Sequence, residues 1–185
     1  MSERKERRPE APLGAPPAER STNLLDWLYA LRDRQRVRQR GGSWIIKGKD
    51  VPWEINRQGK MQWYLHPALD DTPLRSMIFF RQEIAPQSRS GAQRMPGGAI
   101  LYIARGRGYT LLDDDRHDWE AEDVINIPIR ANGVVVQHVN IDPIESAVLL
   151  CADLNLADLL GVDRGSVLEQ IGDAPEWGKA GNGAA

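Results

Sequence analysis

Cysteine is almost missing from this chain of 185 residues: Cys151 is the only one. A disulfide framework within the chain is therefore excluded, and a reducing, cytoplasmic compartment is expected. Long apolar runs are missing as well, so no membrane-spanning segment is expected. The basic residues near the N-terminus are not followed by an apolar stretch, and no signal peptide is read there. Strong net charge is also lacking. With 24 Lys and Arg against 26 Asp and Glu the balance is −2, which gives no general attraction to nucleic acid or to an anionic membrane surface. No internal repeat is visible.

What is present is a rhythm of short apolar runs between Ile84 and Asn140. Ile100–Ala104, Tyr109–Leu112, Val124–Ile127 and Val134–Val139 are separated by Gly, Asp, Pro or Asn. That spacing predicts consecutive antiparallel strands in an all-β sandwich or barrel. Asp113-Asp114-Asp115 reads as a hairpin turn. A calcium loop would need a longer alternation of oxygen ligands. Gly106-Arg107-Gly108 precedes no helical pattern, so it is a turn and not a phosphate loop.

Two motifs in the same stretch are similar to those of the cupins, written G-x5-H-x-H-x3-E-x6-G and G-x5-P-x-G-x2-H-x3-N. Gly106 takes the closing glycine of the first. Pro128, Gly133 and Asn140 match the second, with extra residues between Pro128 and Gly133. Asp123 fits the usual Gly-Asp step, with Glu122 in place of the glycine. By motif the resemblance covers about a third of the chain, and by pattern residues 70–153. It implies an all-β double-stranded β-helix, a jelly-roll barrel. In cupins two His and a Glu of the first motif and a His of the second hold a divalent metal. Here those positions read Gln93, Met95, Ala99 and Val136. Imidazole and carboxylate are gone, and a thioether suits soft metals. No metal and no cofactor are expected.

A cavity with Gln93, Met95, Val136 and His138 where a metal would sit implies a binder of a small organic ligand, aromatic or carboxylated. The pattern also resembles, more loosely, cupins linked to aromatic catabolism, which implies an accessory role there. Whether the protein is an enzyme stays open. His138 shares a strand face with Val136 and is the candidate catalytic residue, as a general acid–base group or a ligand contact; a hydrogen-bonded structural histidine is the plain alternative. Two other readings stand beside ligand binding. One is a ring-cleaving-dioxygenase-like metalloenzyme with ligands rearranged among His138, Glu83, His66, His117 and Gln93. The other is a structural or regulatory cupin with a filled barrel.

The flanks read differently. Residues 1–20 are charged and Pro/Ala-rich, a disordered tail. Residues 21–69 comprise a helix and a Trp-rich flap. The helix over 22–40 has Asn23 as N-cap, an apolar stripe of Leu24, Trp27, Leu28 and Leu31, and a stop at Gly41-Gly42. Its arginines at 32, 34, 36, 38 and 40 scatter around the cylinder, as on a solvated helix end, and nucleic-acid contact is not expected. Trp44, Trp53, Trp63 and Tyr64 exceed what a small barrel covers, so a homodimer is expected. Trp63 or His66 is a candidate for the pocket mouth. In the strand Arg75–Ile84, Arg81 is either an edge arginine or an anion anchor pointing into the barrel. Ser146–Cys151 is the last barrel strand. Residues 154–185 are read as short helices, one over Leu154–Leu160 and one at a Ser166/Glu169 capping box, with a flexible tail.

Overall fold

The computed structural model describes residues 24–69, 71–155 and 169–175. One helix, α1 (Leu24–Gly41), is followed by eleven strands: β1 (Glu54–Asn56), β2 (Gly59–Leu65), β3 (Met77–Ile84), β4 (Ala92–Met95), β5 (Ile100–Arg105), β6 (Arg107–Leu112), β7 (Asp115–Glu120), β8 (Val124–Asn126), β9 (Val134–Asn140), β10 (Ala147–Leu154) and β11 (Glu169–Gly172). They form a six-stranded sheet in the order β1-β2-β3-β10-β5-β8 and a five-stranded sheet in the order β11-β4-β9-β6-β7. Successive strands from β3 to β6 alternate between the sheets, and so do β8, β9 and β10. That winding, with every pairing antiparallel, is the jelly roll of a double-stranded β-helix.

The alternation of side chains explains the two layers. In β9 every second residue, Val134, Val136, His138 and Asn140, is buried, and the intervening residues are half-buried. In β6 the buried positions are Gly108, Thr110 and Leu112. The inner faces meet in a core whose most enclosed members include Leu101, Ile103, Val134 and Leu149. Strand β7 contributes only Trp119 to it; the rest of its side chains, His117 among them, are exposed.

Gly106, matched by motif, links β5 to β6 at φ 97°, and a Cβ there would sit 2.8 Å from the Cα of Ala147. The glycine is needed for conformation and for space. Glu122 lies in the β7–β8 turn at φ 77°, so the carboxylate residue occupies a left-handed position where cupins place glycine. Its N–H still donates to the Ile103 carbonyl at 2.8 Å. Glu122→Gly is expected to stabilise the protein by roughly 0.5–1 kcal/mol, relief of the left-handed strain exceeding the entropy glycine adds to the unfolded chain. A rise in the urea midpoint with an unchanged slope is the expected reading, and a fall would contradict it.

The flanks depart from expectation in four places. α1 forms, but Leu24 and Leu28 of its stripe are exposed, as are Leu25, Tyr29 and Val37. The flap is not a separate layer: β1 and β2 extend the larger sheet beyond β3, and Trp44 and Ile45 ahead of them stay exposed. The capping-box reading at Glu169 is corrected, because Glu169–Gly172 is a strand paired with β4. The last barrel strand runs to Leu154, so no helix begins there. The expected tail over 1–20, the helix over 156–160 and the C-terminal tail lie outside the described residues. Among the described residues no helix is long and apolar enough to cross a membrane.

Candidate functional site

A cavity of about 430 Å³ opens between the sheets at the end capped by β1, β2 and β11. The larger sheet supplies Met61 and Trp63 from β2, Ile78, Phe80 and Gln82 from β3, and Cys151 and Asp153 from β10. The smaller sheet supplies Gln93 and Met95 from β4, Val136 and His138 from β9, and Gln170 from β11. Register explains the convergence: Gln93 is paired with Val136 and Met95 with Val134, while Cys151 and Phe80 are opposite each other in the facing sheet.

Of the residues singled out in the sequence, Gln93, Met95, Val136, His138 and Trp63 all line this cavity. Ala99 is buried in the core, with its carbonyl accepting from the Ile127 N–H at 2.9 Å. Arg81 does not point into the barrel. In β3 the cavity takes Ile78, Phe80 and Gln82, so Arg81 falls on the opposite face. Its guanidinium stacks 5.0 Å from the Trp53 ring centroid, with the Lys60 ammonium 4.4 Å from the same ring. The inward position of an anion anchor is therefore corrected, and so is the edge position: β3 lies between β2 and β10, and Arg81 is on the outer face of that interior strand.

The rearranged metal set does not assemble. Glu83 is outside the cavity, paired with Lys60 at 3.2 Å. His117 is exposed on β7. His66 lines a second cavity of about 290 Å³ with Val51, Pro52, Glu54, Ala68 and Leu69, and its Nδ1 accepts the Ala68 N–H at 3.0 Å. Its burial outweighs the nearby Glu54 and lowers its pKa. Trp63 borders both cavities and lies edge-on to His66, with ring centroids 5.1 Å apart. Among the described residues no three His, Cys, Asp or Glu side chains come together to hold an ion. A glutamine amide, a thioether, a methyl and an isopropyl group do not make a divalent-metal site either.

His138 is buried, and its Nδ1 is 2.8 Å from Thr110 Oγ1. Thr110 is its cross-strand partner on β6. The same hydroxyl accepts the Trp119 indole N–H at 3.0 Å. The His138 backbone N–H donates to Ser90 Oγ at 2.9 Å, and its carbonyl accepts the Ser90 N–H at 2.8 Å. Desolvation pushes its pKa down to about 4, so the ring is neutral near pH 7.

Asp153 and Cys151, neither of them a site candidate from the sequence, also line the cavity. Burial raises the Asp153 carboxyl to about 6, against a smaller opposite effect of the Leu154 N–H. A carboxyl that titrates there is suited to proton transfer near neutrality. Burial, and then the neighbouring Asp153, raise the Cys151 thiol well above its ordinary range, so it is protonated and no nucleophile. The roof is polar. Gln58 Nε2 donates to Gln170 Oε1 at 2.8 Å, and Gln82 Nε2 donates to the Gln58 carbonyl at 2.7 Å. This clasp ties the β1–β2 turn to β11.

No protein-family model matches the sequence, and a comparison with curated proteins finds no match. Among solved structures the chain is similar to vicilin from Corylus avellana (hazelnut), at 17% identity and TM-score 0.47, over 58% of this chain and 31% of that one. It thus spans about a third of the vicilin's length. It is also similar to a cupin-like protein from Thermotoga maritima, at 21% identity and TM-score 0.47, over 71% of this chain and 97% of that one. A conserved protein from Klebsiella pneumoniae with a double-stranded β-helix domain matches at 13% identity and TM-score 0.46, over 60% of this chain and 88% of that one. The strand order alone makes the fold of this chain the cupin-type double-stranded β-helix.

Proposed function

We propose that the protein binds a small ring-bearing organic molecule in the cavity between the sheets, without a metal. One observation carries this reading. The place where the cupin frame gathers its ligands is here an open space of about 430 Å³ with mostly apolar walls, Met61, Trp63, Phe80, Met95 and Val136 among them, and with polar side chains that include Gln82, Gln93, His138 and Gln170. The volume and the apolar lining are those of a small-molecule pocket. An open cavity also speaks against a filled, purely structural barrel. The Trp63 and Phe80 rings, with centroids 5.0 Å apart, offer edges and faces to an aromatic guest. The same chemistry suits the aromatic compounds that the sequence resemblance implies.

The test has two arms. Elemental analysis of protein purified without chelator or added metal is expected to find far less than one equivalent of Fe, Mn, Zn or Ni per chain. A set of ring-bearing fragments is expected to give saturation-transfer signals with the native protein and weaker ones with Val136→Phe, which projects a ring into the cavity. Stoichiometric metal overturns the reading, and so does undiminished fragment binding by a folded Val136→Phe.

A further inference from the structure

We propose that Thr110 and Trp119 hold His138 in the neutral tautomer protonated at Nε2, so that it presents a fixed hydrogen-bond donor and selects ring compounds with a neutral carbonyl acceptor. The choice of ligand class rests on the binding reading above; the tautomer does not.

Proton accounting fixes the tautomer. The Trp119 indole nitrogen only donates, so Thr110 Oγ1 accepts from it at 3.0 Å. Thr110 is fully buried, and its hydroxyl proton needs an acceptor. Among the described residues, the other atom that the hydroxyl meets is His138 Nδ1, at 2.8 Å. Were Nδ1 protonated, it and the indole would both donate to one oxygen, and the hydroxyl proton would be buried with no acceptor, a costly arrangement. Thr110 therefore donates, Nδ1 accepts, and the proton of the neutral ring is on Nε2. Nδ1 is engaged with Thr110 while the ring lines the cavity, so Nε2–H is the polar group His138 turns to a guest.

The rest of the cavity selects against ions. Among the described residues its titratable members besides His138 are Asp153, Cys151 and, at the exposed rim, Arg57. Near pH 5 the Asp153 carboxyl, which titrates at about 6, is mostly protonated, and His138, at about 4, is mostly neutral. A buried ammonium then meets neutral amide oxygens at most and no counter-ion. A carboxylate has only the hydrated Arg57. A neutral carbonyl accepts the Nε2–H without the desolvation cost of a charge.

The tautomer is tested without any ligand. In 15N-labelled protein carrying His66→Gln and His117→Gln, His138 is the only imidazole. Long-range 1H–15N correlation is expected to give a protonated Nε2 and a bare Nδ1, unchanged between pH 5.5 and 8. A proton on Nδ1, or titration near 6.5, overturns the proposal. The ligand class is tested at pH 5 by titrating the native protein with acetophenone, benzoate and benzylamine, observed by saturation transfer. Acetophenone is expected to bind tightest, with roughly fivefold loss in His138→Phe, the worth of one neutral hydrogen bond. Tighter binding of benzylamine or benzoate overturns the ligand class. If none of the three binds while Nε2 carries the proton, the binding reading is overturned and the fixed donor upheld.

Discussion

Replacing Asn140 by alanine is expected to cost about 3 kcal/mol of stability, because one buried amide serves several carbonyls whose loss leaves them without a donor. Asn140 is buried at the end of β9, and its Nδ2 is 3.1 Å from the Ile84 carbonyl, 3.0 Å from that of Ala85 and 2.8 Å from that of Glu145. Its Oδ1 accepts the Asp142 N–H at 3.0 Å. The side chain thus pins the end of β3 to the loop that joins β9 to β10. Asn140→Asp keeps the acceptor and turns a second oxygen towards the carbonyls, so its loss is expected to exceed that of alanine at pH 7. Urea unfolding measures both. A loss below about 1 kcal/mol for alanine would mean that water replaces the amide.

The second large effect is a concealed dependence on pH. The His138 pKa falls from 6.5 to about 4 on folding. The unfolded chain therefore takes the proton first as the pH drops, and the stability present above 6.5 is lost towards 4, by roughly 3 kcal/mol. Asp153 has the opposite sign. Its pKa rises from 3.8 to about 6, so the folded state holds the proton longer and stability falls as the pH rises through that window. The loss is roughly 2 kcal/mol once its partial exposure is discounted. The two slopes nearly cancel between pH 4 and 6. Asp153→Asn is expected to uncover the histidine, with stability falling by about 1 kcal/mol per pH unit more steeply than in the native protein as acid is added. His138→Gln is expected to tilt the profile the other way. Parallel profiles for the native protein and Asp153→Asn would show that Asp153 is not desolvated.

The strands were legible where the side-chain alternation is local. The runs at Ile100, Tyr109, Val124 and Val134 each became a strand with ends displaced by at most two residues. Parity was legible too, but not its sense. In β3 the sequence separates Phe79 and Arg81 from Phe80 and Gln82, and only the pairing with β10 decides which set faces the cavity. The motif positions Gln93, Met95 and Val136 line one cavity. Asp153 was missed because the last strand was ended at Cys151, two residues short of the next inward position. β11 was missed because Ser166 and Glu169 satisfy a local helix-start pattern, whereas the edge of β4 that recruits Glu169–Gly172 is a demand made by the rest of the barrel. Thr110 drew no notice as a threonine in a strand; its tie to His138 spans 28 residues.

The clasp between Gln58 and Gln170 joins positions 112 residues apart in the chain. Closing so long a loop carries an entropic cost that grows only with the logarithm of its length, so distance in sequence is a modest thermodynamic burden. Its kinetic meaning is larger, since folds built from remote pairings are slow to form. Gln170 leaves the ribosome after every strand from β1 to β10 has already been made. During synthesis the barrel can assemble while its mouth still lacks one of its two lips, and the pocket acquires its final outline only when the tail end of the chain arrives.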